Sequence, residues 1–323
     1  MAAVTAAMIK SLRDATNAGM SACKNALVEA DGDFDKAVDV LRERGLAAAA
    51  KKAGRIAAEG LVSSYVAPDS KTGVIIEINS ETDFVSKNSD FRAYVAQVVG
   101  QAIRTDSADI ASFLEDKWHI DESMTVKEAL TQKIAVTGER LDIRRFEKYE
   151  AQDNGLLVNY VHGAASISDD MFAGRVAVLL EIAGDSPNLL EAGKNICLQI
   201  ASMSPKFVSR DDISADFIEK EREILTQQAK LEESENAAKN PKYRSKPDKV
   251  LQNIINGRLE KEMKVFCLAE QEYVKDGDLN VSQYLQSVGK DVAVKRFVRY
   301  ETGEGLEKRS EDFAAEVNKA IQG

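Results

Sequence analysis

The 323-residue sequence predicts an α+β fold with a duplicated core, on two observations. The first is internal repetition. Gly60-Leu61-Val62-Ser63-Ser64-Tyr65-Val66 is echoed by Gly155-Leu156-Leu157-Val158-Asn159-Tyr160-Val161, Gly73 to Ile78 by Val178 to Ile182, and Ile143 to Glu150 by Val294 to Glu301, in the same order. The second is a change of period: helix-spaced apolar stripes precede, separate and follow these strand-like runs. The expected architecture is an N-terminal three-helix domain, then two small antiparallel sheets covered by helices, with a helical-hairpin insertion in the second copy and a C-terminal helix. The expected domains are 1–55, 56–151, 152–301 with the arm at about 211–268, and 302–323.

From the start, residues 4–45 carry three stripes. Ile9, Leu12 and Thr16 recur at helical spacing until Asn17-Ala18-Gly19 stops the helix. Ser21 opens a second helix, with Cys23, Ala26 and Leu27 inward and Asp31-Gly32 ending it. Asp33 caps a third, which carries Phe34, Ala37, Val38 and Leu41 and is expected to stop at Gly45. Ala47 to Ala58 then reads as a separate linking helix whose Lys51, Lys52 and Arg55 form a basic face.

Gly73-Val74-Ile75-Ile76 reads as the end of a strand. Ser80, with Asp83 three positions on, fits a reciprocal cap of a new helical turn, so Asp83 and Phe84 are expected on a tight strand-to-helix corner. Ser89 or Asp90 then caps a helix that covers the sheet with Phe91, Tyr94, Val95, Val98 and Val99. A phenylalanine beside a strand end ordinarily packs on its own domain. Here, however, the second copy has Ala183-Gly184-Asp185-Ser186-Pro187 at the equivalent place and no aromatic residue. A Phe84 that served only the fold would call for an equivalent, so the difference favours one that faces a partner.

In the second copy Leu189 to Met203 is the covering helix. Residues 213–230 and 250–268 read as the two helices of an arm, around a polar tip at 234–248 containing Pro241 and Pro247. Thr302-Gly303-Glu304-Gly305 makes a turn, and Ser310 caps a last helix striped by Phe313, Val317 and Ile321.

The composition narrows the functional classes. A net charge of -10 argues against a dedicated nucleic-acid binder, which needs Lys and Arg in excess on one face, and makes a protein partner the better default. Cys23, Cys197 and Cys267 are odd in number and lack any CxxC spacing, which suits reduced thiols in a cytosolic protein. No basic segment leads into an apolar h-region and no run reaches the length of a membrane span, so a cytoplasmic location is expected. There is no GxxxxGK[ST] phosphate loop. His119 and His162 are far apart and without HExxH or Cys/His spacing, so neither a metal site nor a histidine triad has support. Trp118 reads as local core.

Ile78-Asn79-Ser80-Glu81-Thr82-Asp83-Phe84-Val85 resembles the signature of the elongation factor Ts family, the guanine-nucleotide exchange factors of elongation factor Tu. Leu12-Arg13-Asp14-Ala15-Thr16-Asn17-Ala18-Gly19-Met20, continuing to Lys24 and Ala26-Leu27, is similar to that family's N-terminal signature and implies a ubiquitin-associated fold for the three-helix unit. Asn17 departs from the family's glycine, although asparagine tolerates left-handed backbone. Gly303 to Lys308 followed by Asp312 to Glu316 looks like the family's C-terminal module, and the arm like its coiled-coil insertion.

The resemblance implies that the protein binds elongation factor Tu in its GDP form and promotes GDP release, breaking no bond of a substrate. Thr82, Asp83, Phe84 and Val85 would act near the magnesium and phosphate site of the partner's GTPase domain and displace the magnesium. Tyr160, His162 and Gly163, which match a Tyr-x-His-Gly motif, would be second-rank contacts, together with Leu12, Arg13, Met20 and Phe313. No cofactor or metal of the protein's own is expected, and neither nucleic acid nor membrane as partner; a higher assembly with the partner stays open. So does another reading, in which the three-helix unit recruits a different protein and the duplicated core is a scaffold.

Overall fold

The computed structural model describes residues 4–16, 18–152, 154–240 and 243–307. Three helices open the chain: α1 (Ala6–Thr16), α2 (Met20–Glu29) and α3 (Phe34–Lys52). They close on Leu12, Cys23, Ala26, Leu27 and Ala37, all fully buried. Asp33 caps α3 as its position predicts, accepting from the Lys36 amide at 3.1 Å.

The first copy of the core follows. β1 (Glu59–Val66) and β2 (Thr72–Ser80) form a hairpin, and α4 (Asp83–Lys87), α5 (Ser89–Ala102) and α6 (Ile110–Glu115) come next. A two-stranded ribbon, β3 (Lys117–Trp118) with β4 (Asp121–Thr125), leads into α7 (Val126–Thr137) and then β5 (Leu141–Glu150), which returns beside β2.

The second copy runs β6 (Gly155–His162), β7 (Ala165–Ser166), β8 (Phe172–Gly174), β9 (Val176–Ala183) and α8 (Leu189–Met203). The arm is α9 (Ala215–Lys239) and α10 (Asp248–Phe266). After it, β10 (Glu272–Tyr273), β11 (Asp276–Asn280), α11 (Val281–Val288) and β12 (Ala293–Glu301) repeat the ribbon, helix and closing strand. Among the described residues no helix is long and apolar enough to cross a membrane.

Several local expectations are corrected. Gly45 does not stop α3, and no separate linking helix follows it, because α3 runs on to Lys52. Gly45 is buried against Thr131 and Ala135 of α7. That packing and the Ala-rich continuation outweigh the roughly 1 kcal/mol cost of a glycine inside a helix. The cap of α5 is Asn88, whose side chain accepts from the amides of Asp90 (2.7 Å) and Phe91 (3.4 Å), rather than Ser89 or Asp90. The first arm helix reaches Lys239, well beyond the expected end at 230, because Glu, Ala and Lys through that stretch favour helix. The arm buries Leu225, Ala229, Ile255, Leu259 and Met263 between its helices. The Asn17 turn and the helix expected from Ser310 lie outside the described residues.

Apart from the two-stranded ribbons β3-β4 and β10-β11, the described strands make two antiparallel sheets in the orders β5-β2-β1-β8-β7 and β12-β9-β6. Val74, Ile76 and Ile78 face α5, with Phe91, Val95 and Val98, on one side of the first sheet. Val178, Leu180 and Ile182 face α8, with Ile196, Cys197 and Ile200, in the second. The alternate residues Ile75, Ala177 and Leu179 join Val62 and Leu157 between the sheets. β2 and β9 are therefore buried on both faces, which explains their unbroken apolar runs. Strands β7 and β8 were not foreseen. They belong to the β6–β9 connection, yet β8 pairs with the free edge of β1, Val62 opposite Gly174 and Ser63 opposite Ala173, and β7 pairs with β8.

The duplication extends to buried polar groups. Gln101 on α5 accepts from the His119 amide (2.8 Å) and donates to the Lys117 carbonyl (3.1 Å). Gln199 on α8 accepts from the Val274 amide (2.8 Å) and donates to the Glu272 carbonyl (3.0 Å). Each fastens its two-stranded ribbon to the covering helix. Trp118, expected as local core, is buried there beside Tyr94.

Glu77 on β2 is fully buried and accepts from Arg145 Nε (2.6 Å), Arg144 Nη1 (3.1 Å), Asn79 Nδ2 (3.0 Å) and the Gly303 amide (2.7 Å). Glu181 on β9 accepts from Arg296 Nε (2.7 Å) and the Gln152 amide (2.8 Å). Gly303 follows β12 and Gln152 follows β5, so each carboxylate takes an amide from the other copy. The arginines cross as well: Arg145 stacks on Tyr300 (4.1 Å to the ring centroid) and Arg296 on Tyr149 (4.0 Å). Gly303 has φ 72°, and a Cβ there would overlap the Ala58 carbonyl, so a glycine is required where the amide reaches Glu77.

Glu77→Ala and Glu181→Ala are each expected to cost about 2–4 kcal/mol in urea unfolding, since each strands the arginine and backbone-amide donors that the carboxylate holds. A cost under about 1 kcal/mol for both would show that these carboxylates do not hold the copies together.

Candidate functional site

Strand β2 ends at Ser80 and α4 begins at Asp83, so the Thr82–Val85 segment forms a strand-to-helix corner. Ser80 Oγ donates to the Thr82 carbonyl (2.9 Å) and Ser86 Oγ to the Asp83 carbonyl (2.7 Å). The expected reciprocal cap between Ser80 and Asp83 does not form. Thr82 takes the N-cap position in extended conformation (φ -127°, ψ 156°), without a side-chain capping bond. The Asp83 carboxylate runs along the helix to Lys87 Nζ instead, at 2.6 Å.

Thr82 is held from elsewhere. Its amide and hydroxyl donate to the two carboxylate oxygens of Glu139, at 3.0 and 2.7 Å. Glu139 lies between α7 and β5, just past Gly138, whose φ of 78° ends α7. Beside it, Glu81 accepts from the Arg140 amide (2.6 Å) and pairs with Arg55 (3.2 Å). Sequence reasoning missed Glu139, because nothing local distinguishes it from any solvated glutamate after a helix-ending glycine.

With its backbone held this way, α4 has an inner and an outer side. Val85 is half-buried against the core under α5. Phe84 points outward and is 77% exposed, the highest value among the large apolar side chains described as exposed. A ring left in water forgoes about 1.5–3 kcal/mol of burial. Lys87 Nζ lies 5.8 Å from the ring centroid and so borders both the Asp83 and the Phe84 side chains. The hydrogen bond from Lys87 holds the Asp83 carboxyl below the usual aspartate range, so the group is ionised at neutral pH. The corner thus presents a carboxylate and an aromatic ring from adjacent residues on a fixed backbone.

The other predicted site residues lie on separate elements. Tyr160 and His162 are near the end of β6, with the Tyr160 hydroxyl and His162 Nδ1 3.2 Å apart. His162 and Gly163 are exposed, and Gly163 (φ 64°) turns the chain toward β7. Tyr160 packs on the core under α8 rather than the one under α5, so this group and the corner belong to different layers. Arg13 on α1 and Met20 at the start of α2 are exposed. Leu12 is fully buried in the core of the three-helix unit, so it supports that unit and cannot offer a contact surface. Phe313 lies outside the described residues. His119 is half-buried with Nδ1 3.0 Å from Gln101 Oε1, and burial, reinforced by Arg104, lowers its pKa. Among the described residues no three His, Cys, Asp or Glu side chains converge as a metal site.

Comparison with known proteins gives concordant results. The model of the Elongation factor TS family matches residues 81–304, from the corner to the turn after β12. Elongation factor Ts of Clostridioides difficile (strain 630) is 44% identical over 328 residues, covering 100% of both chains. The proteins of the same name from Clostridium botulinum (strain Eklund 17B / Type B) and Clostridium novyi (strain NT) are each 44% identical over 324 residues, covering 98% of this chain and 99% of theirs.

Because the folded state depresses the Asp83 pKa, whatever the Lys87 pair contributes is fully present at neutral pH and is lost as pH falls through the lowered value. A carbon-detected NMR titration should place the Asp83 carboxyl midpoint below that of an unpaired aspartate, and Lys87→Ala should move it upward. An unmoved midpoint would exclude Lys87 as the cause.

Proposed function

Since this chain belongs to the elongation factor Ts family, we propose that it binds elongation factor Tu in its GDP form and promotes GDP release through the Thr82–Val85 corner. Family membership supports a nucleotide-exchange role in which no bond of a substrate is broken. The observation that carries the role of the corner is the exposed Phe84 ring on a backbone fastened from three sides. The second copy of the core has only the Gly184-to-Asn188 loop at the equivalent place, so the fold itself does not call for this ring.

The mechanism is linkage. GDP and the factor each bind the GTPase well alone but favour different arrangements of its phosphate loop and magnesium ligands. Each therefore weakens the other by the same free energy. Phe84 supplies an aromatic anchor whose burial opens the packing beside the nucleotide, and Asp83 holds the shifted arrangement. Thr82 and Val85 set the corner: one is tied to Glu139, the other is seated on the core. Displacing the magnesium leaves the diphosphate charge poorly neutralised, and GDP departs. The site then reloads with GTP. Arg13 and Met20 on the three-helix unit, with Tyr160, His162 and Gly163 at the β6 turn, supply affinity away from the nucleotide.

Stopped-flow release of a fluorescent GDP from elongation factor Tu tests this. The protein should accelerate release, and Phe84→Ala should weaken the complex by about 2–4 kcal/mol, as expected of a buried aromatic hot spot. A parent-like release rate with saturating Phe84→Ala protein would discard the wedge. In the same assay, Arg13→Ala combined with Met20→Ser should raise the half-saturating concentration and leave the saturating rate within about twofold; the reverse would move those residues into the release step.

A further inference from the structure

We propose that Glu139 is a positioning residue for nucleotide exchange: its carboxylate, gripping both the amide and the hydroxyl of Thr82, sets the direction in which Asp83 and Phe84 leave the surface. This rests on the proposed role of the corner and extends it to a residue 57 positions further along the chain.

Three observations carry the inference. The grip is two-pronged, one bond of 3.0 Å and one of 2.7 Å, so it fixes an orientation as well as a distance. It falls on a residue whose side chain makes no capping bond within α4, the Ser80 hydroxyl reaching only its carbonyl. It is also one half of a crossed pair. Glu139 holds Thr82, and the neighbouring Arg140 amide is held by Glu81, so segments 81–82 and 139–140 are joined by three hydrogen bonds.

Arg140 Nη1 also donates to the Arg55 carbonyl, and Arg55 returns to Glu81. The chain leaving α3 is thereby tied to the same clamp. A five-residue helix whose Phe84 is 77% exposed receives no support from packing of that ring. The clamp takes the place of such packing.

The test uses the full-length protein and measures fluorescent GDP release from elongation factor Tu over a range of factor concentrations. Glu139→Ala should slow release about tenfold at saturation, with a half-saturating concentration changed less than about threefold. Glu139→Gln, which keeps one acceptor oxygen, should recover part of the rate. Thr82→Val, which removes only the hydroxyl, should slow release several-fold. The double variant Thr82→Val/Glu139→Ala should be no slower than Glu139→Ala alone.

A parent-like saturating rate in Glu139→Ala, a defect confined to half-saturation, or additive losses in the double variant would each overturn the proposal. If Phe84→Ala loses the acceleration while Glu139→Ala retains it, the corner's role stands and only the clamp falls. If the parent protein gives no acceleration, both fall together.

Discussion

The two buried carboxylates, Glu77 and Glu181, are the constraint around which the core is arranged. A carboxylate without water is tolerated only when its lone pairs are met by donors. Here the donors come from both halves of the duplicated chain: arginines from the adjacent strand of the same copy, and one backbone amide from the end of the other. Each glutamate completes its set of donors with an amide from beyond its own copy. The two sheets are thus locked in one relative position by directional bonds, where apolar packing between them would permit sliding. The crossed stacking of Arg145 on Tyr300 and Arg296 on Tyr149 adds to the same lock, and the β7–β8 segment carries part of the second copy onto the first sheet.

That rigidity reaches the corner directly. Glu77 and Asn79 sit on β2 a few residues before Thr82, and Asn79 Nδ2 donates both to Glu77 and to the Glu59 carbonyl. The last turns of the strand are therefore pinned before the chain leaves the sheet. An exposed aromatic side chain on a loose segment would spread over many orientations, and ordering it on binding would cost conformational entropy. On this scaffold much of that cost is met during folding, which suits a side chain proposed to enter a partner.

The three-helix unit is attached more closely than a tethered docking module would be. Its last helix extends over α7, and the chain beyond it joins Glu81 and Arg140. The chain leaving that unit and the corner thus share one set of hydrogen bonds. The arm, by contrast, has its own internal core of Leu225, Ala229, Ile255, Leu259 and Met263.

Much of this was legible without coordinates because it depends on short-range rules. Period 2 against period 3.6 separated strands from helices, the repeated segments located the two copies, and the apolar run breaking off into Ser80-Glu81-Thr82-Asp83-Phe84 marked a corner. The errors occurred where a short-range rule met a distant partner. Ser80 and Asp83 matched a cap by spacing, but Lys87 took the carboxylate and Glu139, far along the chain, took Thr82. Gly45 carried a local stop signal that packing on α7 overrode, and the spacing that made Leu12 part of a motif is the spacing that buries it. Sequence by itself determined the elements and the residues of the corner, because periodicity and turn chemistry act over a few positions. Only the tertiary structure decided which groups satisfy one another across the chain, and so which residues hold the corner in place.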